Sequence, residues 1–267
     1  MLHAIMFRSL WAYRGFVLGA VRREFEQRYR GSIGGAVWAV LQPLSMILVF
    51  TVVFSGIMRN KLPGHEDNPF AYSIYLCAGV LPWGLFNDLV GRLTTVFTDS
   101  ANLMKKASFP RVCLPVIAML GAALSFSVPF ALFASFVLIV GQWPGVVILA
   151  ALPLLVLTLM VAAGLGLLLG TLNVFFRDVS HLTSIVLQFW FWLTPLVYVA
   201  TSLPESVRQW LELNPLWPLF RGWHGVFVDR VAPAWLELLP LALGASLLLL
   251  LAGLFFVRRA PDMVDDL

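Results

Sequence analysis

The chain has 267 residues, 60% of them hydrophobic and only 12% charged, with a mean hydropathy of +0.87. A soluble domain carries roughly 25% charged residues, so a water-solvated globular surface is excluded. The net charge of +4 and pI near 9.4 would suit nucleic acid in a polar protein; in one this apolar, basic residues mark cytoplasmic loops and membrane-surface segments, and no nucleic-acid partner is expected.

The first element is a helix over residues 16–30. Leu18, Val21, Phe25 and Tyr29 fall at spacings of three and four, giving an apolar face. Arg22, Arg23, Glu26 and Arg30 share another, with Arg22–Glu26 and Glu26–Arg30 at i,i+4. Such a helix lies along the headgroup layer, and Gly31, Gly34 and Gly35 let the chain turn into the membrane. Two roles are open for Arg22, Arg23, Arg28 and Arg30. They orient the protein, or they also meet an anionic headgroup or a cytosolic partner, since guanidinium donates two parallel bonds to phosphate.

A helix needs about 20 apolar residues to cross the hydrocarbon core, and six stretches qualify: 36–58, 70–90, 112–140, 144–170, 182–200 and 234–257. The expected class is therefore all-α, a single polytopic membrane domain. Within the second span, Asp88 is placed to pair with Arg92 at i,i+4, with a proton relay as the lesser alternative. "TDSANLMKKASFPR" (98–111) follows: Asp99 or Ser100 can cap a short helix, Lys105 and Lys106 suit its C-terminal dipole, and Pro110 stops it. By its residues this is either an interfacial turn or a docking knob. "GQWPG" (141–145) separates spans three and four, and "NVFFRDVSHL" (173–182) places Arg177 and Asp178 between spans four and five. Their role is topological, or else a second partner contact or an internal ion pair.

The fifth span carries "FWFWLTPLVY" (189–198), and the segment 201–233 mixes Trp, Phe and Pro with few charges. Two short helices dipping back into the membrane fit it better than a solvated loop, provided they are buried in protein or line a cavity. The aromatics Phe189, Trp190, Trp192, Tyr198, Trp210, Trp217, Phe220 and Trp223 fit an interfacial belt or a sliding surface for sugar rings; both readings stand.

An even number of spans puts both termini on one side. Thirteen of the eighteen Lys and Arg residues fall on that side, so the positive-inside rule places the termini in the cytoplasm. Cys77 and Cys113 then lie near opposite faces, too far apart for a disulfide. His181 and His224 have no metal-ligand companions at useful spacing, no secretory signal is expected, and no phosphate-binding G-x-x-x-x-G-K-[ST] loop occurs. ATP hydrolysis by that motif is excluded, and the scarcity of acidic residues in the spans argues against an ion-coupled pump.

Four segments together carry a resemblance: "RREFEQRYRGSIGGAVWAVLQPLSMILVFTVVFS" (22–55), "LCAGVLPWGLF" (76–86), "NLMKKASFPRVCLPV" (102–116) and "LNVFFRDVSHL" (172–182). In order and spacing the chain resembles the membrane subunit of type-2 ABC exporters of cell-surface polysaccharides: O-antigen, capsule and teichoic acid. The resemblance implies a homodimer of this chain in the bacterial inner membrane, joined to two copies of a separate ATP-binding subunit. That subunit would hold the ATP and Mg, leaving this chain without cofactor, metal or catalytic residue. The helix 16–30 would be an interface helix beside a lateral opening, where Arg22, Arg23, Arg28 and Arg30 receive a lipid diphosphate. Residues 99–108 would be the coupling helix, with Asp99, Asn102, Lys105, Lys106, Phe109 and Arg111 facing the ATPase and Arg177 and Asp178 as a second contact. The segment 204–223 would close the outer mouth, and the cargo would be an undecaprenyl-diphosphate-linked glycan, nearest to the O-antigen branch. The competing expectations are a type-2 exporter of a small molecule or of a phospholipid-linked capsule glycan, a lipid-linked-sugar transferase, and a membrane scaffold.

Overall fold

A computed structural model describes residues 11–29, 37–57, 62–105 and 110–263. All regular structure among them is helical. The elements are α1 (Arg14–Tyr29), α2 (Val37–Val49, continued by π-helical turns Phe50–Ile57), α3 (Ala71–Asp99), the single turn α4 (Ala101–Met104) and α5 (Cys113–Ile139). They continue as α6 (Ala151–Phe175, entered by a 3-10 turn Gly145–Ala150), α7 (Asp178–Leu193), α8 (Glu205–Glu212), α9 (Trp217–His224) and α10 (Trp235–Arg259).

Among the described residues four helices are long and apolar enough to cross a membrane: α3, α5, α6 with its leading turn, and α10. The helices within the expected stretches 36–58 and 182–200 are shorter. α7 has sixteen residues, about 24 Å at 1.5 Å per residue, because Thr194 turns extended ahead of Pro195. In the other direction, the span expected to end at 90 runs on to Asp99, since nothing in "GRLTTVFTD" breaks a helix. Asp99 therefore closes α3 rather than capping the next helix. Ser100 takes the N-cap position of α4 without a side-chain bond, its carbonyl accepting from the Leu103 and Met104 amides. The expected coupling helix 99–108 is a single turn among the described residues.

α3 is the axis of the fold, buried along most of its length and packed on α5, α6, α7 and α9, while α6 also packs on α10. In lipid no hydrophobic force presses helices together; close approach across small residues does. Gly166 and Gly170 supply it. A Cβ at 166 would stand 2.7 Å from the Leu93 Cβ, and one at 170 would overlap the Leu93 carbonyl oxygen. The exposed apolar residues of α7 and α10, such as Leu182, Val186, Leu243 and Leu247, are what a lipid-facing surface requires.

The two ends of the bundle are fastened differently. Where α3 and α10 begin, His65 pairs with Asp229 at 2.9 Å, and Arg230, at φ 57°, bonds Gln142. Arg221 pairs with Glu237 there. Where α3 and α10 end, Phe97 stacks on Phe256 at 5.0 Å, Met104 plugs α4 into the same cluster, and Arg111 donates to the Ala260 carbonyl. Cys77 and Cys113 are free and buried.

Candidate functional site

The candidate residues gather in three places. The first is a polar cavity of about 460 Å³ beside the Asp99 end of α3. Thr95, Thr98 and Asp99 face Asn173, Arg177, Ser180 and His181 across it. Two constellations far apart in sequence thus share one recess. Asn173 organises it: buried, its Oδ1 accepts from the Ser180 amide at 3.0 Å and so caps α7 from the preceding helix. Asp178 sits in the first turn of α7, where a carboxylate suits the helix dipole. Asn102, Lys105, Arg177 and Asp178 are exposed, whereas Arg111 is half-buried. Lys106 and Phe109 lie outside the described residues.

The second place is where α1 meets the bundle. Arg22 and Arg23 are exposed, and Arg22 pairs with Glu26 at 2.8 Å as its i,i+4 spacing requires. Arg30 and the side chain of Arg28 lie outside the described residues. Of the expected apolar face, the side chains of Phe25 and Tyr29 lie outside the described residues. Leu18 is 64% exposed, while Val17 and Val21 are buried, and α1 packs on α5. The side of α1 that packs on α5 also carries Glu24, which lies against Gly121, where a Cβ would come within 3.2 Å of its carboxylate. Glu24 is met by Arg92, which also donates through Nε to Asp88 at 2.8 Å. The Asp88–Arg92 pair was legible from spacing; the third member, on α1, was not.

The third place is an apolar groove of about 560 Å³ between the end of α7 and α8, walled by Trp190, Trp192, Tyr198 and Trp210 with Leu203 and Val207. Trp192 and Trp210 are exposed at 59% and 74%. The other expected channel aromatics stand elsewhere. Phe189 is exposed outside the groove, Trp217 is half-buried, and Trp223 is 1% exposed. Trp223 packs on Phe126, Phe130 and Phe227 because α9 turns that face into the core. Phe220 is buried in the same way, against Trp83. The groove rests on backbone held from α3: Tyr72 Oη donates to the Val197 carbonyl at 2.9 Å and Tyr75 Oη to that of Tyr198 at 2.8 Å. His224 stacks on Tyr75 at 3.9 Å, a packing role. Among the described residues no cluster of His, Cys, Asp and Glu could hold a metal.

Known proteins share this chain's pattern over most of its length. The profile of the ABC-2 type transporter family matches residues 17–228, a stretch that includes all three places. The O-antigen export system permease protein RfbA of Myxococcus xanthus is 31% identical over 264 residues, covering 97% of this chain and 98% of that protein. A protein of the same description from Klebsiella pneumoniae is 25% identical, covering 78% of each chain. The polysialic acid transport protein KpsM of Escherichia coli is 20% identical, covering 73% of this chain and 74% of its own.

Proposed function

The chain belongs to the ABC-2 type transporter family, and we propose that it is the permease subunit of an ATP-driven exporter of O-antigen, carried as an undecaprenyl-diphosphate-linked glycan across the inner membrane. The observation that carries this reading is the near end-to-end match with an O-antigen export permease, 97% of one chain against 98% of the other. A phospholipid-linked capsule glycan ranks second, on the more distant match to a polysialic acid transport protein, 20% identical over 73% of the chain.

In this reading α2 and α7 complete six crossings, α8 and α9 form a re-entrant pair, and both termini are cytoplasmic. Two copies of the chain enclose the path, and two ATP-binding subunits, which hold the ATP and Mg, seat α4 and the recess between Asp99 and Arg177. ATP binding shifts the population toward an open channel to the extent that the partners bind that state better. The diphosphate enters beside α1, where Arg22, Arg23, Arg28 and Arg30 offer guanidinium forks. The glycan then passes the aromatic groove, whose faces stack on sugar rings without fixing their register.

The test is complementation. Expressed with its ATP-binding partner in strains lacking their own O-antigen permease or their own capsule permease, the chain restores surface O-antigen. Restored capsule without O-antigen would favour the second reading, and restoration of neither would remove both.

A further inference from the structure

We propose that Asn214 is the positioning residue of the aromatic groove, fastening Trp190 and the open end of α7 to the turn between α8 and α9. Its Oδ1 accepts from Trp190 Nε1 at 3.0 Å and from the Leu216 amide at 3.1 Å. Its Nδ2 donates to Thr194 Oγ1 at 2.9 Å and to the Leu193 carbonyl at 3.3 Å. An asparagine amide has two acceptor and two donor positions, and here each is used. Two partners are N–H groups and one is a carbonyl, so the amide cannot be turned over without losing all three.

Each contact meets a need set by local sequence. α7 ends with carbonyls that have no helical partner, and Nδ2 takes one of them, that of Leu193. Pro215 has no N–H, so Leu216 offers the first free amide of the following turn, and Oδ1 takes it. Thr194 relays the link, its hydroxyl donating to the Trp190 carbonyl at 2.9 Å while accepting from Asn214. Asn214 itself lines the groove. Asn214 thereby fixes the indole N–H of Trp190, whose ring also packs edge-on against Phe86 at 5.9 Å, and ties the two walls together.

That the groove guides a glycan rests on the function proposed above, and the experiment separates the two. The protein, labelled with 5-fluorotryptophan and purified with its ATP-binding partner, is followed by fluorine NMR, with Trp190 assigned from Trp190→Phe and Trp223 from Trp223→Phe. Asn214→Leu is expected to displace the Trp190 resonance, leave that of Trp223 in place, and lower surface glycan several-fold while the complex still co-purifies. Asn214→Asp, which keeps the acceptors and loses the donors, gives a smaller displacement and an intermediate loss. A Trp190 resonance unmoved in both variants overturns the positioning role. A displaced resonance with undiminished export overturns the groove as part of the glycan path and leaves the Asn214–Trp190 link standing. Should Asn214→Leu also move Trp223, Asn214→Asp decides by the same criteria.

Discussion

Arg92 on α3 binds Glu24 on α1, sixty-eight residues away in sequence, while holding Asp88 one turn below on its own helix. One guanidinium between two carboxylates thereby ties α1 to the bundle. It stands about two turns inside the end of α3, so it is partly withdrawn from water, and Arg92 is 17% exposed.

Removing Arg92 would leave Glu24 and Asp88 facing each other without this cation. Breaking a fully buried pair costs about 3–5 kcal/mol; with Glu24 at 41% exposure the expected loss is about 1–3 kcal/mol. Arg92→Ala should lower Tm in detergent and open α1 to protease, and Glu24→Gln with Arg92→Gln should cost less than the two single changes summed. Strict additivity in that cycle would remove the link.

Gly170 tests the packing of α3 on α6. A methyl group there overlaps the Leu93 carbonyl, so Gly170→Ala should cost about 1–3 kcal/mol through overpacking. Gly253, where a Cβ would meet nothing within 4 Å, is the control: Gly253→Ala should be neutral or slightly stabilising. Yield of monodisperse protein and Tm report both.

Local devices are readable in the sequence: the Asp88–Arg92 and Arg22–Glu26 pairs follow from helical spacing, and the long apolar runs follow from bilayer thickness. Glu24 escapes such reading because a carboxylate on a buried face looks wrong until its partner is known. The apolar spacing picks out Val21, which is buried, but passes over Glu24 on the side that packs against α5. Asn214 escapes it too, although Asn-Pro is a turn signal; its role needs four partners, three of them twenty or more residues away. Trp223 matches its exposed neighbours in composition, and only the direction of α9 separates a core tryptophan from a groove one.

That separation gives a third prediction. Trp223→Ala should destabilise the fold by about 3–5 kcal/mol, as large core truncations do, with export lost in proportion to protein. Trp192→Ala and Trp210→Ala should leave stability within about 1 kcal/mol of the parent, as exposed sites do, and reduce export at equal protein level. Immunoblots of membranes beside surface-glycan gels distinguish the two classes.

At the opposite end, Lys105→Glu combined with Lys106→Glu should weaken co-purification of the ATP-binding subunit while the chain still inserts. Arg177→Glu, across the recess from Asp99, should do the same. Unchanged recovery of the partner in both variants would confine these residues to setting topology.

The most direct measurement is transport itself, in inside-out vesicles carrying this chain, its ATP-binding partner and radiolabelled lipid-linked O-antigen. The glycan is expected to become protected inside the vesicles when ATP is added, and to stay outside with a non-hydrolysable analogue. No protection with ATP, while the complex remains assembled and active as an ATPase, would contradict export by this chain.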